Sequence, residues 1–191
     1  GSSRDFNGVK SWAVRERGDY AALMDILVES TTAYLLAQVD AGAQALQIFD
    51  TWAGAVPAGD FDAWVIDPTA RIVAGVKSVQ PDVPIIGFAR GVGDRLEGYI
   101  RGTGVDAVGL DASISVTDAA AKIQPICPVQ GNLDPAYLMV GGEQMERAAN
   151  EILDALSAGP FVFNLAHGIH KDTPFAHVER LAEIVRDRAP S

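Results

Sequence analysis

The sequence is short of the residues from which many sites are built. A single cysteine, Cys127, among 191 residues excludes an internal disulfide and leaves no thiolate cluster for a structural zinc. No His-Glu-x-x-His, no His-x-Cys and no carboxylate–histidine cluster stands at ligand spacing, so no metal is expected. A Gly-x-Ser-x-Gly nucleophile elbow is missing too. Basic residues are scarce, 15 against 25 acidic ones for a net charge of −10. Nucleic acid and anionic membrane surfaces both demand clustered Lys and Arg, so neither is the expected partner. No run approaches the roughly 18–20 apolar residues needed to span a bilayer. The opening GSSRDFNGVK carries neither a basic stretch nor an apolar core of the secretory kind, so a cytoplasmic location is the expectation.

What is present is a chain 48% hydrophobic, long enough to bury a sizeable core and read as a single domain over residues 1–191. Short runs rich in Val, Ile and Phe alternate with longer segments of helical period, the pattern of repeated αβ units on a parallel sheet. The strand-like runs are Ala45–Thr51, Val83–Ala89, Val105–Asp111, Ile126–Asn132 and Phe161–Ala166. Cys127 falls in the fourth and is expected to be buried there. From Asp19 to Asp40, the residues Tyr20, Leu23, Met24, Leu27, Val28, Thr31, Tyr34 and Leu35 recur at i, i+3, i+4, i+7. This predicts a helix capped by Asp19, closed by Gly42 and packed through that one face. Further helices are expected at about Asp60–Ser78, Asp94–Gly102, Ser115–Lys122, Glu143–Leu156 and Pro174–Asp187, the last with Thr173 as N-cap and Pro174 at the first helical position.

An open doubly wound sheet that binds nucleotides carries a Gly-rich turn after its first strand, and none is here. Polar residues instead gather where the strands end: Asp50 and Thr51, Arg90, Asp111, Asn132 and Asp134, Asn164 and His167. In a (β/α)₈ barrel those ends line one rim and form the active site. Five strands do not close such a barrel, so the fold expected is α/β, an incomplete (β/α)₈ TIM barrel comprising about its last five βα units. His167, flanked by the small Ala166 and Gly168, has room to face a cavity or to sit as a satisfied core histidine. Asp50 and Thr51 present a carboxylate and a hydroxyl at one strand end, or simply cap the turn that follows. Gln130–Pro135 reads as turn chemistry. Arg90 suits an anion contact or an exposed salt bridge equally. His170 and His177 are expected at the surface.

Taken together, IFDTWAG (Ile48–Gly54), GLD (Gly109–Asp111), QGNLDP (Gln130–Pro135) and FNLAHGI (Phe163–Ile169) resemble the uroporphyrinogen decarboxylase family, with the likeness running the length of the chain. That resemblance implies a (β/α)₈ barrel, commonly a homodimer. It implies an enzyme of heme biosynthesis, a carboxy-lyase that decarboxylates the four acetate side chains of uroporphyrinogen III to give coproporphyrinogen III without cofactor or metal. Matched by position, Thr51 corresponds to the family's substrate-contacting hydroxyl residue and His167 to its histidine at the substrate carboxylates; Asp50 and Arg90, read from their strand-end positions and not from the family, are further candidate contacts. Ala166 departs from the family's usual glycine. The family's arginine-rich segment, its aspartate beneath the pyrrole N–H groups and its substrate tyrosine belong upstream of Gly1. No catalytic residue is therefore expected within the chain, and the chain alone is expected to be inactive. Two other readings are a non-catalytic half-barrel that serves assembly, and a zinc- or cobalamin-linked methyltransferase on the related barrel, for which one cysteine leaves too few ligands.

Overall fold

The computed structural model describes residues 5–188, and the chain falls into two compact units, Gly1–Asp106 and Ala107–Ser191. In the first, α1 (Asn7–Arg15) and α2 (Arg17–Asp40) lead into β1 (Leu46–Asp50), and α3 (Asp67–Val79) leads into β2 (Ile85–Ala89), with α4 (Leu96–Thr103) following. Strands β1 and β2 pair in parallel, Leu46 opposite Ile85 through Asp50 opposite Ala89. Leu46, Ile48 and Ile85 turn inward and pack with Val28, Leu35, Ile72, Val73, Val76, Val83 and Val105. Each large aliphatic side chain so buried contributes roughly 1.5–3 kcal/mol. Asp106 pins the start of β2: its carboxylate accepts the Ile85 N–H at 2.7 Å, its own N–H donates to the Ile85 carbonyl, and Lys77 sits 2.7 Å from the same carboxylate.

The second unit runs β3 (Ala107–Gly109), the short α5 (Val116–Asp118), β4 (Val129–Leu133), α6 (Pro135–Val140), α7 (Gly142–Leu156), β5 (Phe161–Leu165) and α8 (Phe175–Arg188). Its strands are parallel, Val108 opposite Val129 and Val129 through Leu133 opposite Phe161 through Leu165. Helix α7 buries Met145, Ala149, Ile152, Leu153 and Leu156. Alternating strands and helices with parallel pairing in both units bear out the expected α/β class.

All five expected strands are present; four are trimmed by one to four residues, and β4 (Val129–Leu133) starts three residues later and ends one residue later than expected. Cys127 is buried as expected but precedes β4 in a bend, because Pro128 removes a ladder donor and the Cys127 N–H turns back to the Ile123 carbonyl. Helix α2 is where it was expected, yet its first turn opens at Glu16 rather than Asp19. Its expected packing face is too wide. Val28 and Leu35 are buried, while Leu23, Leu27 and Tyr34 are exposed. The helix expected at Asp60–Ser78 is interrupted by one wide turn, Asp62–Ile66, since Pro68 has no N–H to continue the regular ladder. Two helices escaped the periodicity reading. In α1 the pattern is short and weak. In α6 the turn residues are a helix start, with the Asp134 carboxylate accepting the Ala136 N–H at 2.9 Å and Pro135 in the first turn. Helix α8 begins at Phe175, and Thr173 is not its cap, because the Thr173 hydroxyl is buried without a partner. Nor is His177 a surface residue. Half-buried, it places Nδ1 2.9 Å from the Leu138 carbonyl.

Burial pushes the Cys127 thiol up to about 11, which leaves almost no thiolate at neutral pH. Alkylation of the folded chain by iodoacetamide at neutral pH is accordingly expected to be at least about tenfold slower than in denaturant. Equal rates, measured by mass spectrometry, would show the thiol to be accessible.

Candidate active site

Strand β1 alternates its faces. Leu46 and Ile48 pack inward with the helices, whereas Phe49 is exposed and meets Phe88 of β2 at 5.9 Å between ring centroids. Asp50 ends the strand on the helix side, and its carboxylate turns over the following loop to accept the Trp52 N–H at 3.1 Å. Burial lifts its pKa above the ordinary carboxylate value, against the pull of hydrogen bonds from the Trp52 and Ala53 N–H groups. Its charge is felt by Tyr99, whose phenol is pushed up first by burial and then by Asp50, and by Tyr20, raised by burial, Asp50 and Asp60.

The ends of β1 and β2 are stitched together. The Arg90 N–H donates to the Asp50 carbonyl at 3.0 Å, and the Gly54 N–H donates to the Arg90 carbonyl at 2.9 Å. The loop lies so close to its neighbour that a Cβ on Gly54 would stand 2.4 Å from the Gly91 carbonyl oxygen, which explains a glycine here. Thr51 is half-buried at the head of this loop, and its hydroxyl has no internal partner among the described residues. Arg90 is exposed. Asp50, Thr51 and Arg90 are thus brought together at one end of the first unit. Asp50 binds its own loop, as the turn-capping reading foresaw.

Sequence reasoning missed Arg95. It lies in a short helical turn ahead of α4, and its guanidinium donates to the carbonyls of Val56 at 3.1 Å, Gly54 at 3.4 Å and Val92 at 3.3 Å. The cation also stands 4.3 Å above the Phe61 ring. No spacing rule marks such a residue, since two of its three carbonyl partners, those of Val56 and Gly54, lie 39 and 41 positions upstream.

In the second unit His167 is exposed just after β5. Its neighbour Ala166 is buried and donates its N–H to the Leu133 carbonyl at 2.8 Å, holding the β5 exit beside that of β4. Asn132, also buried, donates through Nδ2 to the carbonyls of Asp111 at 2.9 Å and Ile114 at 2.7 Å. The Asp111 carboxylate accepts the Ser113 N–H at 2.7 Å. A Cβ on Gly131, whose φ is +141°, would lie 2.8 Å from the Leu110 carbonyl oxygen. Asn164 is exposed and accepts the Leu165 N–H at 2.8 Å. Asp111 and Asn132 therefore brace loops and Asp134 caps α6, while His167 is exposed to solvent. His170 is exposed in a loop as expected, its Nδ1 accepting the Asp172 N–H at 3.2 Å. Among the described residues no three His, Cys, Asp or Glu side chains gather to hold a metal ion, and no helix is long and apolar enough to cross a membrane.

Comparison with known proteins gives these positions a context. The uroporphyrinogen decarboxylase family model matches residues 1–188. The uroporphyrinogen decarboxylase of Rhodospirillum rubrum is 53% identical over 97% of this chain and 53% of its own length. That of Erythrobacter litoralis is 45% identical over 97% of this chain and 54% of its own. The chain thus spans about half the length of the curated relatives it matches. Among solved structures, a methyltransferase from Methanosarcina mazei superposes with a TM-score of 0.79 at 18% identity, covering 93% of this chain and 52% of its own. At that identity the likeness shows a shared fold and nothing of the chemistry.

A carboxyl whose pKa is raised by burial is more easily kept neutral in the folded chain than in the unfolded one. The folded state is favoured below the ordinary value of 3.8 and loses that advantage as pH rises through the raised one. Asp50→Asn removes the titration, so its stability relative to wild type is expected to climb as pH rises from below 3.8 to neutrality. Urea unfolding across that range checks this, and a pH-independent difference would show that Asp50 titrates normally.

Proposed function

The chain belongs to the uroporphyrinogen decarboxylase family, and on that premise we propose that the protein to which it contributes converts uroporphyrinogen III to coproporphyrinogen III by removing carbon dioxide from four acetate side chains. The observation that carries this reading is 53% identity over 97% of the chain with a uroporphyrinogen decarboxylase. The motif residues Asp50, Thr51, Arg90 and His167 stand at strand exits, which is where a barrel of parallel strands builds its site. In this reading residues 1–191 form part of one (β/α)₈ barrel domain, in a cytoplasmic homodimer that needs no cofactor.

The chemistry divides the labour. Decarboxylation of a pyrrole acetate requires protonation at the ring carbon, an acetate held for loss of carbon dioxide, and stabilisation of the cationic macrocycle that develops. A buried carboxylate beneath the ring supplies the last of these most effectively. In this proposal that aspartate, together with the arginines that anchor a substrate of eight carboxylates, comes from sequence preceding Gly1. Thr51 and His167 bind and orient. The hydroxyl of Thr51, which has no internal partner among the described residues, is available to a substrate carboxylate. The exposed His167 donates to a second. The chain by itself does not turn over.

Chromatography of porphyrins after incubation with uroporphyrinogen III tests both parts. Coproporphyrinogen is expected from the complete gene product and none from residues 1–191 alone. Turnover by the short chain would refute the division of labour, and turnover by neither would refute the activity. His167→Ala in the complete product is expected to lower kcat/KM on the order of 10- to 100-fold, the worth of a hydrogen bond to a charged group of about 1.5–3 kcal/mol. An unchanged kcat/KM removes His167 from the site.

A further inference from the structure

The loop from Trp52 to Val56 holds an unusual balance of charges. At its start the Asp50 carboxylate accepts the Trp52 N–H at 3.1 Å, and the neighbouring Ala53 N–H pulls its pKa the same way, downward. At its end the Arg95 guanidinium collects carbonyls, those of Gly54 at 3.4 Å and Val56 at 3.1 Å. Between them the Gly54 N–H reaches the Arg90 carbonyl, the Ala55 N–H the Trp52 carbonyl and the Val56 N–H the Ala53 carbonyl. Nearly every backbone donor and acceptor of the loop is therefore occupied, although it belongs to neither strand nor long helix. Charged partners make the end contacts stronger than neutral ones.

Arg95 is also spent as a cation. Nε, Nη1 and Nη2 each point at a carbonyl, and the guanidinium plane rests over Phe61. A side chain so engaged is poorly placed to bind a substrate carboxylate. Its fork geometry matters more than its charge, because a lysine offers a compact ammonium that cannot reach separate acceptors in one plane.

We propose that Arg95 and Asp50 are positioning residues, a clamp of opposite charges that fixes the Thr51–Val56 loop so that the Thr51 hydroxyl meets the substrate without rearrangement. The proposal rests on the reading of Thr51 as a substrate contact and adds the residues through which that contact is made. Preorganisation of this kind lowers the ordering cost of binding, so losing the clamp raises KM more than it lowers kcat.

Two measurements test it. In the complete gene product, R95A, R95K and D50A are each expected to raise KM for uroporphyrinogen III on the order of tenfold. D50N, which keeps an acceptor oxygen, stays within about threefold. In a T51A background, R95A is expected to add less than about a twofold further loss, because residues acting through a common partner are not additive. A wild-type KM in R95K, or full additivity of R95A with T51A, overturns the proposal. The second measurement is amide hydrogen exchange at Trp52 through Val56 in residues 1–191 without substrate, where R95A and D50A are expected to accelerate exchange on the order of tenfold. Exchange at the wild-type rate in both overturns the clamp whatever KM does. Accelerated exchange with a T51A enzyme of normal KM leaves the clamp standing and removes Thr51 from the substrate site.

Discussion

A parallel strand that stops must still satisfy the backbone groups of the loop that follows it, and at a functional edge it must do so without filling the space with secondary structure. Everything distinctive at the ends of these strands answers to that constraint. An unpaired buried peptide group costs about 1–3 kcal/mol, so a few such groups would erase much of the stability of an ordinary domain. The first unit meets the demand with two charged side chains that address backbone atoms, Asp50 on the Trp52 N–H and Arg95 on carbonyls. The second meets it with a buried amide, Asn132, spanning two carbonyls of the loop after β3. In each case a polar side chain that looks catalytic by type serves the backbone.

Charge follows the same division. Most basic side chains with a resolved partner are committed to surface pairs, such as Arg71 with Asp25, Arg101 with Glu97, Lys122 with Asp118, Arg180 with Glu146 and Arg188 with Asp154. Exposed pairs of this kind contribute at most about 1 kcal/mol each and hold no ligand. With Arg95 engaged by carbonyls, Arg90 is an exposed cation at the exit of β2, and the proposed division of labour assigns the anchoring of a polycarboxylate mainly to residues outside this chain.

Much of this was legible from the amino acids. Runs such as LQIFD and FVFNL declare strands by composition, because β-branched and aromatic side chains fit a pleated buried surface and turn residues bound them. The motifs IFDTWAG and FNLAHGI placed Thr51 and His167 at strand exits, and there they stand. Other elements were hidden for identifiable reasons. Helix α6 hid behind Asp134 and Pro135, a pair that serves a turn and a helix start equally well. The exposed row of Leu23, Leu27 and Tyr34 on α2 misled because periodicity reports which residues share a helix face and not how much of that face finds a partner. His177 looked like a surface residue until its ring was found against Gly141 and the Leu138 carbonyl.

Sequence alone determined the α/β class, the order of the strands along the chain, the family, and the residues to examine, since all of these follow from local composition and from motifs read in order. Only the tertiary structure decided what each polar residue does there. Asp50 and Arg95 lie far apart in the sequence, yet both end on backbone groups of the same Trp52–Val56 loop. That convergence depends on where β1, β2 and the turn before α4 are held by the packed core, and no spacing within the sequence encodes it.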